Sequence, residues 1–313
     1  MRCLFILSFS FFLTSASQAQ ELFIQNEPAS VLPKSSIAFR SIHQFYTEDG
    51  VLRSRQALRI TRGMTAKWEI GLEAGISNHN HPNLVSELYT DGDLDHDHSH
   101  HGGGEVNAEH VHPSTFTGFN LYSQYRFYTQ DGPNEHLRAA AYGMLSSNRT
   151  THHYAEPNLL HRNAGASAGL ILTWLKDKFA ASGRLGGIVP FGYSPKDSDR
   201  YFRSGNAMDY ALSLGYLLYP RKYKGYQQTN VNLYLEFMGR AFQQARIRDE
   251  IRWYPALNSD ETHPGAYLDV NPGIQLILDS RFRIDFSTAF PLINRSMAMD
   301  YPQFHLALQY LYF

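Results

Sequence analysis

Large apolar and polar residues alternate with a period of two along much of the chain. In 281–292, Phe282, Ile284, Phe286, Phe290 and Leu292 share one phase, and Arg281, Arg283, Asp285 and Ser287 share the other. In 67–76, Trp68, Ile70, Leu72, Ala74 and Ile76 oppose Lys67, Glu69 and Glu73; in 230–240, Val231, Leu233, Leu235 and Phe237 oppose Asn232, Glu236 and Arg240. Successive side chains of a strand point to opposite faces, so each stretch predicts a strand with one apolar and one charged face. The same period predicts twelve strands, at about 36–46, 56–62, 67–77, 115–128, 136–147, 164–175, 179–191, 207–219, 229–242, 265–277, 281–292 and 302–313. The last stretch, DYPQFHLALQYLYF, puts Phe304, Leu306, Leu308, Tyr310 and Tyr312 in one phase and His305, Ala307, Gln309, Leu311 and Phe313 in the other. An unpaired apolar strand would be an aggregation template, so this one is expected to pair on both sides and close the sheet. Phe313 falls in the polar phase, and a bulge or turn near the end would return it to the apolar face.

A soluble sandwich produces the same alternation with its apolar face turned inward, and the connector lengths discriminate better. Short connections at 63–66, 129–135, 176–178, 220–228 and 278–280 alternate with long ones at 47–55, 78–114, 148–163, 192–206, 243–264 and 293–301. Short periplasmic turns, longer outer loops and an even strand number are the signature of an outer-membrane barrel. The expected fold is therefore all-β: an antiparallel up-and-down transmembrane β-barrel of about 12 strands over 36–313, with long extracellular loops. A periplasmic lead-in is expected at 20–35, where two prolines interrupt any period. Residues 1–19 read as a signal peptide, with Arg2 ahead of an apolar core from Leu4 to Leu13 and small residues at Ser17 and Ala19. The expected location is the outer membrane of a bacterial cell, with lipid as the partner of the apolar face.

Composition sharpens this picture in three ways. Of 313 residues, 20 are Tyr, 20 Phe and 3 Trp, which suits the aromatic girdles of a barrel, and a mean hydropathy of -0.38 suits its polar interior and loops. The balance of 28 basic and 29 acidic residues gives no electrostatic case for nucleic acid. Cys3, inside the expected signal peptide, is the only cysteine, so disulfides and thiolate metal sites are not expected in the processed chain. With the apolar phase facing lipid, Lys67, Glu69, Glu73, Glu236, Arg240, Arg281, Arg283 and Asp285 are expected to line the lumen. There they either border a passage or pair across it and partly plug it.

The stretch with the loudest chemistry is NHNHPNLVSELYTDGDLDHDHSHHGGGEVNAEHVHPS at 78–114, expected as an extracellular loop. It holds His79, His81, His96, His98, His100, His101, His110 and His112, interleaved with carboxylates that include Asp95 and Asp97. Imidazole suits Zn, Cu and Ni, and two or three imidazoles with a carboxylate complete a site without thiolates. The spacing is not that of a rigid centre: His-x-His repeats present both side chains on one side of an extended chain, whereas the adjacent pair His100 and His101 point apart. The expectation is a reversible, multi-site binder of divalent transition metal, set against a solvated loop that binds metal only adventitiously. His152, His153 and His161 lie in the next long loop. Ser146 and Ser147 next to His152 and His153 form the nearest approach to a nucleophile cluster, but no nucleophile elbow or phosphate-binding loop is present, so an enzyme is not expected.

The stretches LRITRGMTAKWEIGLEAGIS at 58–77, DVNPGIQLILDSRFRIDFSTAFPL at 269–292 and the closing LALQYLYF resemble an exported barrel family, the meta-pathway phenol-degradation or transporter-like outer-membrane proteins. That resemblance implies an outer-membrane β-barrel passing small, often apolar molecules, with no catalytic residues. Three functional expectations stand at this point. One is a barrel whose His-rich loop binds metal for metal or small-solute passage or for surface buffering. The second is a passive channel for small aromatic or apolar solutes with an incidental loop. The third is a structural or adhesive barrel with a plugged lumen.

Overall fold

The computed structural model describes residues 23–48, 51–78, 114–148, 154–194, 201–222, 228–248, 252–256, 262–295 and 301–313. Among these, twelve long strands close into one antiparallel barrel: β1 (Ile37–Glu48), β2 (Val51–Gly63), β3 (Trp68–Ser77), β4 (Thr115–Asp131), β5 (Glu135–Ser147), β6 (Ala164–Lys176), β7 (Phe179–Pro190), β9 (Ala207–Tyr219), β10 (Asn230–Phe242), β13 (Gly265–Leu278), β14 (Phe282–Arg295) and β15 (Gln303–Tyr312). Three short strands, β8 (Tyr201–Arg203), β11 (Arg246–Arg248) and β12 (Trp253–Pro255), form a separate sheet beyond the barrel's outer end. Each barrel strand pairs with its chain neighbours in the wall, and β15 closes on β1 from Ile37 opposite Tyr312 to Phe45 opposite Phe304. Closure leaves no barrel edge with unpaired backbone groups, the condition a sheet must meet to sit in lipid.

Face assignment follows the period-two pattern. Along β3 the even positions face out, with Leu72 and Ile76 exposed, while Glu69, Gly71, Glu73 and Gly75 are buried toward the lumen. In β15, Phe304, Leu308 and Tyr310 face out and His305, Ala307 and Gln309 face in. The strand ends at Tyr312, so Phe313 lies past the pairing and is exposed, out of the strand's phase. Exposed aromatic rings gather near the short-turn end at Trp68, Tyr125, Trp174, Phe179, Tyr216, Phe282 and Tyr310. Trp68 stands opposite Tyr125 across β3 and β4, and the Phe179 and Tyr216 ring centroids are 4.9 Å apart. A second set, Phe116, Phe119, Phe191, Phe290 and Phe304, lies toward the loop end. Two girdles flanking an aliphatic band match the two interfaces of a bilayer. The described outward face of β1 and β2 departs from the rule at Ser41 and His43, whose side chains hydrogen-bond each other at 2.9 Å, and at Gln56, the cross-strand neighbour of His43.

Three connections differ from expectation. The first outer connection, expected long at 47–55, is two residues, because β1 and β2 continue pairing to Glu48 opposite Val51. The loops expected at 192–206 and 243–264 carry the small sheet, whose centre is an apolar cluster of Phe202, Phe242, Ala245, Ile247 and Tyr267. Arg248 there lies over the rings of Tyr201 and Trp253, at 4.8 and 5.3 Å.

The lipid-facing band predicts a depth-dependent penalty for charge. Leu170→Arg, at the middle of β6 where Leu170 is 58% exposed, should cost about 2–4 kcal/mol in urea titrations of the barrel in lipid vesicles, and Tyr219→Arg near the rim about 0–1 kcal/mol. Equal costs at the two depths would contradict a lipid-facing surface.

Candidate functional site

Two segments enter the lumen, one from each end. The first is 23–35, expected from its sequence as a periplasmic lead-in ahead of the barrel; it runs inside the wall. It turns over the rim at Gly63, where a side chain would collide with the Pro33 carbonyl oxygen, and the Ser35 N–H bonds the Gly63 carbonyl at 2.8 Å. Inside, its backbone has no ladder of its own, and the wall supplies the partners. Glu236 accepts from the N–H of Gln25 and of Asn26, both at 3.1 Å. Glu69 accepts from Leu32 N–H at 2.6 Å, and Thr173 from Ala29 N–H at 2.8 Å. Carbonyls are met in turn: Arg283 donates to Phe23 at 2.8 Å, Arg40 to Ile24 at 2.5 Å, and Gln124 to Pro28 and Ser30 at 2.8 and 3.1 Å. Apolar anchors complete the fit, with Phe23 and Ile24 buried near Tyr234 and Ala180, and Ala29 against Ala140 and Ile171.

The second segment is the inward part of the loop after β5, at 154–163. Arg55 donates to the Leu160 carbonyl at 2.8 Å, and Arg240 to Glu156 and to the Pro157 carbonyl at 2.9 and 2.8 Å. Asn148 ties the loop to the wall through the Leu159 carbonyl at 2.7 Å and Asn120 at 3.0 Å. Asn148 packs closely on Gly118, whose φ of 141° is a conformation that side-chain-bearing residues rarely adopt.

Between the two segments lies a cavity of about 190 Å³. Its wall carries Arg40, Arg55, Arg59, Arg184 and Arg240, held by ion pairs. Glu73 receives Arg55 at 2.5 Å and Arg59 at 2.9 Å, and Arg59 also pairs with Glu27 of the entering segment. Arg184 pairs with Asp209 at 3.2 Å, and Asp285 receives Arg283 at 2.7 Å and Arg40 at 3.3 Å. Such desolvated pairs fix the guanidinium groups in position more than they add stability.

Of the residues expected to line the lumen, Glu69, Glu73, Glu236, Arg283 and Asp285 are buried there, and Arg240 is mostly buried beside the cavity. Lys67 and Arg281 do not join them. Both lie in short turns beyond the strand ends, where the alternation lapses, and both are exposed. Arg40, Arg55, Arg59, Arg184, Asp209, Gln124, Gln275 and His305 were missed as site residues. In β1 and β2 the lumen phase includes Ile42 and Ala57 and the lipid phase includes His43 and Gln56, so the alternation does not separate by polarity. His79, His81, His96, His98, His100, His101, His110, His112, Asp95 and Asp97, together with His152, His153 and the expected signal peptide, lie outside the described residues. Among the described residues no cluster of His, Asp and Glu has the makings of a metal centre. Ser146 accepts from Asn148 N–H at 3.1 Å and donates to the Asn163 carbonyl at 2.9 Å, and Ser147 bonds the Phe119 backbone, so both hydroxyls serve backbone anchoring.

A closed twelve-stranded antiparallel wall, apolar outside and charged inside, is a transmembrane β-barrel of the outer-membrane type. The structure is similar to that of an outer membrane channel from Pseudomonas putida F1, with a TM-score of 0.58 at 12% identity over 93% of this chain and all of that one. The NanC porin (TM-score 0.46, 8% identity) and the KdgM porin (TM-score 0.39, 8% identity) are more distant, each comparison covering 88% of this chain and 98% of the other. At these identities the likeness is one of fold. No protein-family model matches the sequence, and no curated protein matches it.

Glu236 is the acceptor whose loss should release the entering segment, since Glu236→Ala leaves two backbone N–H groups buried without partners, at about 1–3 kcal/mol each. With Ser30→Cys as a single label in a Cys3→Ser background, maleimide modification should accelerate at least about tenfold in Glu236→Ala. Unchanged labelling would show that Glu236 does not hold the segment.

Proposed function

We propose that this protein passes small solutes across the outer membrane, through a lumen that 23–35 and 154–163 close at rest. The observation that carries the reading is the cavity between those segments. A barrel serving only as a wall or an adhesive surface would gain packing energy by filling it. Both closing segments are held by hydrogen bonds and ion pairs to side chains rather than by strand pairing, so either can leave without opening the wall. The similarly folded Pseudomonas putida protein is called an outer membrane channel, which agrees with this reading. The family resemblance implies small, often apolar solutes, although the charged wall gives these no advantage over polar ones. Swelling of liposomes containing the barrel, with and without 23–32, tests the reading. Faster solute entry after the deletion supports passage, whereas barrels that fold but admit no solute in either form would identify a plugged structural wall.

A second reading adds metal capture at the surface. It rests on the eight histidines of 78–114, the stretch of sequence between the ends of β3 at Ser77 and β4 at Thr115. In this proposal the loop binds Zn, Cu or Ni reversibly and raises its local concentration at the mouth of the barrel, or buffers it there. Binding needs neutral imidazole, so affinity should be present above the histidine pKa and fall below it. Calorimetric titration at about pH 7.5 and about pH 5.5 of the intact barrel and of a variant lacking 91–112 should show binding only for the intact protein at the higher pH. Equal binding by both forms would make the loop's histidines incidental.

A further inference from the structure

The cavity holds more hydrogen-bond donors than the protein uses. His305 on β15 lines it at 7% exposure, and neither ring nitrogen has a partner among the described residues. The Nε groups of Arg40, Arg55, Arg184 and Arg240 are also buried without an acceptor, and all four side chains line the same space. These residues converge from five strands, β1, β2, β7, β10 and β15. One terminal guanidinium nitrogen of each is tied to Asp285, Glu73, Asp209 or Glu156, so the donors are held in place before any ligand arrives.

A buried donor without an acceptor is destabilising, and a site that gathers several selects an occupant made of acceptors. An ionised carboxylate is that group: it has no donor of its own, offers about four lone-pair positions, and matches the guanidinium fork. The wall charge agrees, with six arginines facing the cavity against the carboxylates of Glu27, Glu73 and Asp269. Asp209, Asp285 and Glu156 lie against the arginines and offset their charge over longer distances. Selection therefore acts by hydrogen bonding at close range, not by a long-range field. Ile42, Leu160 and Met238 supply an apolar part of the same wall.

We propose that the cavity binds a small organic monocarboxylate, its anionic end on the arginine and His305 donors and its apolar body on Ile42, Leu160 and Met238. The inference deepens the passage reading by naming a solute class, but it is tested by binding alone. Benzoate and its neutral analogue benzamide are titrated calorimetrically into the folded, full-length processed barrel, alongside Arg184→Gln and Ala289→Leu. Arg184→Gln removes a donor and a charge. Ala289→Leu keeps every charge and fills space in the wall, and it guards against an arginine variant that fails to fold. Expected are one saturable benzoate site, benzamide weaker by at least about tenfold, and losses of at least about tenfold in both folded variants. Absence of saturable benzoate binding, equal affinity for benzamide, or variants that bind as the parent does would each overturn the proposal. If benzoate binds here while liposomes admit no solute, passage fails and the site stands; if solutes pass and benzoate does not bind, passage stands and the site fails.

Discussion

A chain segment placed inside a closed barrel must have its backbone polar groups satisfied by the barrel's side chains, because no sheet edge is left to do it. That constraint organises the lumen. Residues 23–35 bring a run of N–H and C=O groups to the interior, and Glu236, Glu69, Thr173, Arg283, Arg40 and Gln124 answer them one by one. Several of the charges in the wall are thus explained by the segment they hold rather than by any solute.

The same economy recurs at the outer end. Arg55 joins the lumen carboxylate of Glu73 to the Leu160 carbonyl, and Arg240 holds both Glu156 and the Pro157 carbonyl of 154–163, so the ion pairs that position these wall arginines also anchor the loop. What remains is a small space bounded by fixed cations and the uncommitted His305. The barrel's stability and the chemistry of its cavity are consequently linked: removing one wall charge disturbs both an inserted segment and the cavity. Outside, the requirement is the opposite one, and the aliphatic band with its two aromatic girdles meets it without polar partners.

The wall was legible in the sequence because period-two alternation is a local property. Strands such as β3 and β14, where one phase is apolar and the other carries charge, announce both their existence and their faces. The lumen's contents were not legible. The segment 23–35 has no period and reads as linker, and its burial depends on partners as far away as Glu236 and Arg283. Phe23, Ile24, Val31 and Leu32 were the available hint, being aliphatic and aromatic residues in a stretch otherwise suited to solvent. Arg40, Arg55 and Arg59 were obscured because β1 and β2 place Ile42 and Ala57 inside and His43 and Gln56 outside. Lys67 and Arg281 were misplaced for a related reason, since a phase extrapolated one residue past a strand end no longer says where a side chain points. The small outer sheet of β8, β11 and β12 was missed because three-residue strands carry too little alternation to register.

Residues 23–35 are an integral part of the lumen rather than a tether outside it, and amide hydrogen exchange on the folded barrel in lipid addresses this directly. The amides of Gln25, Asn26, Ala29 and Leu32, each bonded to a wall side chain, should exchange at least about 100-fold more slowly than those of a free chain. Exchange at free-chain rates, alongside protected barrel strands, would place the segment outside the lumen and leave the wall charges without the partners assigned to them.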